Sequence, residues 1–277
     1  YSPPLTTFDS LKNHMPIEPN KHDFLINKTT AEDMIVQLKK FCSRHSITSL
    51  FVVSSYCRAS YMKRPWTSNT LEITSTLFDD LRYVGSLFAT EVLQIDPIYY
   101  PDKKLVSFSY KDIVVEFQGI SIKSYMLNKD ILDWMQKAGI EDVPLLRNIY
   151  GRDFTVNSLA LSLDNANFYD PSKRAASDID RELVSSLLPP VILIKNNPKA
   201  ILDAIKLSLS LDFYIENGLS LAMKEGSSFV FESLSQDRLV DHVIDILKLD
   251  AVRGLDMLKR YALDKILLQP GIKELTY

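Results

Sequence analysis

The run Gly151-Arg152-Asp153-Phe154-Thr155-Val156-Asn157-Ser158-Leu159-Ala160, with Asp170-Pro171 after it, constrains this chain more than any other stretch. It sets an Arg/Asp pair, a Phe and an Asn between two apolar runs, a mixture that neither a plain helix face nor a plain strand requires. Arg152 offers a planar fork of donors for a phosphate or carboxylate, and Asp153 is placed to orient that fork or cap a backbone amide. A purely structural Arg–Asp pair at an element junction is the other reading of the same two residues. Phe154, Val156, Leu159 and Leu161 alternate as a buried strand does and are expected in the core.

The 277 residues suffice for one large domain or two modest ones, and 46% apolar with 24% charged residues is the balance of a globular protein. A formal net charge of -3 argues against a general nucleic-acid glue, so any RNA contact must come from a local basic patch. Cys42 and Cys57 match no zinc spacing and read as free thiols. No apolar run reaches membrane-spanning length, so no membrane partner is expected. The chain opens on Tyr1 rather than Met, which is read as an N-terminal piece removed or left out. Its 8 glycines are few for this length, which matters wherever a backbone must closely approach a phosphate.

Residues 1–28 carry Pro3, Pro4, Pro16 and Pro19 without a sustained period and read as an extended arm, a candidate contact for a protein partner. Thr30 is an expected N-cap, with Met34, Ile35, Leu38, Phe41 and Cys42 at helical spacing to about Arg44, and Ser49–Val53 is a central-strand run. Residues 78–96 read as helical. Lys104–Tyr110 and Asp112–Phe117 read as strands joined by a Lys111-Asp112 turn. Residues 124–150 read as mostly helical, with Ile131, Leu132, Trp134 and Met135 in the core. From Asp178 the pattern turns to helices without strand runs, giving an α+β chain with a 29–180 domain and a helical 181–277 domain. Ile201, Leu202, Ile205, Leu209 and Phe213 fall on one helical face after Pro198, and further helices are expected over 219–224, 236–249 and 252–267. His242, on the second of these, reads as a solvated or packing residue.

Arg-Asp-Phe-Thr-Val-Asn-Ser-Leu-Ala, then Asp170-Pro171, Asp178-Ile179 and a helix opening at Asn197-Pro198, resembles the class II tRNA nucleotidyltransferase and bacterial poly(A) polymerase family. The family's order is Arg-Arg-Asp-Phe-Thr, Asp-Pro, Asp-Leu and Glu-Asp-Pro-x-Arg. The resemblance implies a polymerase β-like nucleotidyltransferase head, with a mixed sheet and flanking helices, followed by an all-helical neck. The family's catalytic loop begins Gly-Gly and leads to Asp-x-Asp on the next strand. Here Ser54-Ser55 take the glycine places, Arg58 and Lys63-Arg64 keep the frame, and in Thr70-Leu71-Glu72-Ile73, or with slightly different spacing Ser68-Asn69-Thr70, only Glu72 is acidic. The third metal carboxylate would fall on Glu116, which otherwise reads as the glutamate common at a strand's solvent edge. Asn148 and Gly151 stand where the family has an Asp and a first Arg, and Asn197 and Ala200 where it has the template Asp and Arg.

The resemblance therefore implies a scaffold kept and a chemistry lost. The expected function is that of a catalytically inactive subunit, RNA-binding or structural, in a larger ribonucleoprotein assembly. It would have no catalytic residues, no metal and no cofactor. Arg58, Lys63, Arg64, Arg152, Asp153, Lys195, Lys199 and Lys206 are the candidates for RNA or phosphate contact, against a solvated charge set as the other reading. The alternative is an active, divergent RNA nucleotidyltransferase of the CCA-adding or poly(A) polymerase type, with Glu72 and Glu116 holding Mg²⁺. An organelle, the mitochondrion, is the expected compartment by analogy with enzyme relatives recruited to organellar RNA machinery.

Overall fold

The computed structural model describes residues 30–120 and 123–268, so the 1–28 arm lies outside the described residues. The chain divides into two compact units. The first takes the chain up to Arg152 and then Val156–Ser177; the second takes Asp153–Thr155 and everything from Asp178 onward. Among the described residues no helix is long and apolar enough to cross a membrane.

The first unit is built on a seven-stranded mixed sheet. Its strands are β1 (Leu50–Val53), β2 (Thr70–Ser75), β3 (Ile98–Tyr100), β4 (Leu105–Tyr110), β5 (Ile113–Gln118), β6 (Ala160–Ser162) and β7 (Phe168–Tyr169), in the order β3-β4-β5-β2-β1-β6-β7. β2 and β5 run parallel and every other pair is antiparallel. β1 is buried at all four residues, as an uninterrupted apolar run predicts for a central strand. The β4–β5 hairpin closes where expected, with Tyr110 opposite Ile113 and Lys111 at φ 54°, the positive φ such a tight turn demands.

Helix α1 (Thr30–His45) buries Met34, Ile35, Leu38, Phe41 and Cys42, the face its spacing predicts. Thr30 is its first described residue, and the hydroxyl donates to Asp112 in the hairpin turn at 2.6 Å rather than serving as the expected cap. α2 (Ser55–Met62) follows β1. α3 (Arg82–Phe88) continues into a π-turn over Ala89–Leu93 that Gln94 ends in the left-handed region. α4 (Lys129–Lys137) and α5 (Pro144–Tyr150) complete this unit's longer helices. Phe41, Phe88, Phe108 and Phe117 form its aromatic centre, with ring centroids 5.3 to 6.2 Å apart along the chain of contacts.

Two expectations need correction here, and one strand was not expected. Leu132 is 39% exposed, because α4 turns Ile131 and Met135 inward and leaves Leu132 on the neighbouring face. Phe154, Val156, Leu159 and Leu161 are all buried, but no continuous strand holds them. Asp153 sits at φ 65°, Thr155–Asn157 is a 3₁₀ turn, and only Ala160–Ser162 is sheet. The strand β3 has no counterpart among the sequence expectations.

α6 (Ala175–Asp180) lies where the chain leaves the first unit. The second unit is helical apart from β8 (Leu183–Val184) and β9 (Tyr214–Ile215), which pair in parallel, so the expected absence of strands after Asp178 is corrected by one short ladder. Its helices are α7 (Pro190–Asn196), α8 (Ala200–Leu211), α9 (Asn217–Gly226), α10 (Ser228–Ser233), α11 (Gln236–Leu249) and α12 (Ala251–Arg260). α8 is the central one, burying Ile201, Leu202, Ile205 and Leu209 and packing on α11 and α12. Phe213 is buried too, but beyond the helix, after Asp212 turns left-handed. α7 and α9 cross so closely at Gly226 that a Cβ there would lie 2.3 Å from Ile194 Cγ2.

The motif run supplies the second unit's first three residues. Leu187 N donates to Asp153 O at 2.8 Å, Thr155 N donates to Ser185 O at 2.9 Å, and Phe154 bridges Ser186. Thr155 Oγ1 donates to Asp178 Oδ2 at 2.7 Å inside the protein, which gives the Asp178-Ile179 pair a structural role. In the first unit Asp170 does similar work. It accepts from Ser172 Oγ at 2.8 Å and from Ala176 N at 3.0 Å, fixing the first turn of α6.

Candidate functional site

The parallel register of β2 and β5 sets Glu72 opposite Glu116. Two carboxylates on paired residues of neighbouring strands, whose backbones lie about 4.8 Å apart, repel unless a cation or proton intervenes. Arg152 supplies the cation. It follows α5, which Gly151 ends, and its Nη1 donates to Glu72 Oε1 at 3.1 Å. Its Nε and Nη2 both donate to Asn148 Oδ1, at 3.0 and 2.7 Å, one helical turn back. The Arg152 side chain is 12% exposed and the Glu72 side chain 29%, so the pair is screened only in part. Burial raises the Glu116 carboxyl above its ordinary pKa, the Glu72 charge adds to that, and Lys103 and Arg152 oppose it.

The loop after β1 keeps a glycine geometry without the glycine. Ser54 sits at φ 71° and ψ −139°, a region essentially confined to glycine. It is nonetheless the residue whose carbonyl accepts from Arg58 N at 3.1 Å to open α2. Ser54→Gly is therefore expected to raise stability, by about 1 kcal/mol once the extra freedom of the unfolded chain is set against the relieved strain. A denaturation midpoint equal to or below that of the wild type would mean the backbone is not strained there. The neighbouring Ser55 hydroxyl accepts from the Trp66 indole at 3.0 Å, and Tyr56 meets the same ring edge-on at 5.6 Å. Arg58, which burial lowers to a pKa of about 10, donates from Nη1 to Asn157 Oδ1 of the motif run. Cys57 is buried and its thiol donates to Val52 O at 3.1 Å; burial pushes its pKa, and that of Cys42, upward.

The structure thus brings Glu72, Glu116 and Arg152 together and ties Arg58 to the motif through Asn157. Lys63 and Arg64 are exposed at the end of α2, where Lys63 turns left-handed. Asp153, Lys195, Lys199 and Lys206 belong to the second unit. There Asn197 Nδ2 lies 3.4 Å from both Asp153 carboxylate oxygens, and Ala200 is fully buried. Lys195 is exposed on α7, and Lys199 pairs with Asp203 one turn along α8. Lys206 meets His242 Nδ1 at 2.6 Å and Asp245 at 3.4 Å. That makes His242 a packing residue whose pKa falls through burial first and the nearby Lys206 charge second. The acceptor roles of Asn148 and Asn157 had no expectation attached. The Asn148–Arg152 spacing of one helical turn was the available signal.

Mg²⁺ is the ion that the family resemblance raises, and these residues do not fit it. Glu72 is already bound by a guanidinium, and the β2–β5 register sets only Glu116 beside it. Among the described residues no three His, Cys, Asp or Glu side chains gather as a metal site would require.

No family model matches the sequence, and no curated protein does. Solved structures do match. The Thermotoga maritima CCA-adding enzyme complexed with tRNA-CCA superposes with a TM-score of 0.69 at 16% identity, over 88% of this chain and 54% of that one. A CCA-adding enzyme in complex with ATP gives 0.65 at 17% identity, over 88% and 55%. A tRNA-processing enzyme in an apo form gives 0.66 at 14% identity, over 94% and 63%. The chain thus spans between about half and two thirds of the length of these neighbours. It has the nucleotidyltransferase fold of the CCA-adding enzymes, with a helical C-terminal region.

Proposed function

We propose that this chain is a catalytically inactive member of the class II tRNA nucleotidyltransferase and poly(A) polymerase family, acting as an RNA-binding subunit of a larger ribonucleoprotein assembly. One observation carries the reading: the Arg152 guanidinium holds the single acidic residue of β2, where a polymerase of this fold needs free carboxylates. A guanidinium neutralises the repulsion between Glu72 and Glu116, which stabilises the shell, but it cannot lower the pKa of an attacking hydroxyl as a divalent cation does. The buried Ala200 adds support, since alanine offers no donor to the edge of an incoming base. RNA is the proposed partner because the neighbours of this fold include an enzyme complexed with tRNA. The exposed Lys63, Arg64 and Lys195 are the side chains best placed for phosphate contact.

The alternative keeps a foothold in the register that sets Glu72 beside Glu116, and it predicts Mg²⁺-dependent nucleotide addition. Incubation with labelled nucleoside triphosphates, Mg²⁺ or Mn²⁺, and a tRNA or oligo(A) primer separates the two. The expected result is an unextended primer that the protein nevertheless binds, more weakly as salt rises. Primer extension that Glu72→Ala abolishes would establish the enzyme instead.

A further inference from the structure

The second unit contains a cavity of about 620 Å³ between the β8–β9 ladder and the start of α9 on one side and α12 on the other. Its apolar floor includes Met257 and the buried Tyr261, whose hydroxyl lies 2.9 Å from Ser220 Oγ. Three arginines line it, Arg181, Arg253 and Arg260, and Tyr214 stands among them 74% exposed. Such a volume matches a small-molecule site.

The arginines are unevenly committed. Arg253 pairs with Asp212 at 2.8 Å, both largely in solvent, an arrangement that contributes little. Arg181 and Arg260 have no ion-pair partner among the described residues. Of the two acids in the lining, Glu216 is already engaged, accepting from Gly218 N and Leu219 N at 2.9 Å to cap α9. Asp256 is exposed at the surface of α12. Two uncommitted guanidinium forks beside one exposed aromatic ring form a pattern with a definite complement. The forks take paired oxyanion oxygens, and the ring stacks on a planar base.

We propose that this cavity binds a phosphorylated nucleoside unit, with Arg181 and Arg260 on the phosphate and Tyr214 against the base. None of these residues belongs to the carboxylate pair of the first unit. The proposal adds this cavity to the RNA contact described above, and rests on that reading only where the nucleoside unit is part of an RNA strand. AMP and a single-stranded oligoadenylate are the two probes, titrated against the wild-type chain, Arg181→Ala/Arg260→Ala and Tyr214→Ala. The arginines are exposed, so the double variant is expected to melt with the wild type, and Arg181→Lys/Arg260→Lys controls for charge without the fork. The double alanine variant is expected to weaken binding about tenfold or more, with the lysine variant between. Loss for both probes identifies a free-nucleotide pocket, and loss for the oligonucleotide alone identifies an RNA strand. Equal affinity of wild type and double variant for both probes, or no binding of either by the wild type, overturns the proposal. RNA binding that survives the double variant undiminished, with AMP binding unchanged as well, would exclude the cavity while leaving the reading of the first unit intact.

Discussion

Phe117→Ala is expected to destabilise the first unit by about 3 to 5 kcal/mol, as a lowered denaturant midpoint at an unchanged slope. The side chain is fully buried on β5, its ring stacked at 6.2 Å on Phe108 and tilted at 6.1 Å to Phe88. Phe88 in turn meets Phe41 edge-on, so one ring ties β4, β5, α3 and α1 together. What places the effect near the top of the range is Gly85 of α3. A Cβ built there would lie only 2.9 Å from the Phe117 ring, so the helix rests directly on that ring. With the ring removed, α3 has no side chain at that point to collapse into the cavity, and the lost contacts stay lost. A loss below about 1 kcal/mol would show that the helix relaxes into the space, against this packing.

Arg152→Ala is the second large effect, expected to cost about 2 kcal/mol near pH 7. The figure sits below that for a fully buried pair because water reaches the Glu72 side chain. The loss has a pH signature whose sign follows from Glu116. A carboxyl whose folded pKa is raised holds its proton more tightly in the folded state. Its contribution is therefore favourable in acid and is lost as pH rises through the raised value. Removing the guanidinium takes away one of the two charges that oppose the shift. The Arg152→Ala deficit should therefore be largest near neutrality and shrink towards about pH 4. Glu72→Gln in the same chain removes one carboxylate and should restore much of the loss. A deficit independent of pH, or undiminished by Glu72→Gln, would mean that Arg152 acts through Asn148 alone.

Much of the fold was legible because local signals agreed with it. The α1 stripe, the all-apolar β1, the Lys111-Asp112 turn and the span of α11 each carry their period and punctuation in consecutive residues. What escaped is short or non-local. β3 is three residues on a sheet edge just after Pro97, too brief for alternation to register. α7 had no counterpart among the sequence expectations, although Pro190 is the favourable first residue of this seven-residue helix. Nothing local announces that Asp153 turns left-handed and splits the expected strand. At the candidate site, the residue types of Glu72, Glu116 and Arg152 pointed to the place. Their arrangement did not follow, because it depends on the β2–β5 register and on a contact between residues far apart in sequence.

The nucleotidyltransferase fold and the proposed loss of a hold on divalent cations are separable properties, and one titration addresses the second directly. Mn²⁺ added to the wild-type chain and followed by electron paramagnetic resonance is predicted to keep its free-ion signal, because Arg152 already answers the charge of Glu72. Stoichiometric loss of that signal in the wild type, reversed by Glu72→Gln, would contradict the account.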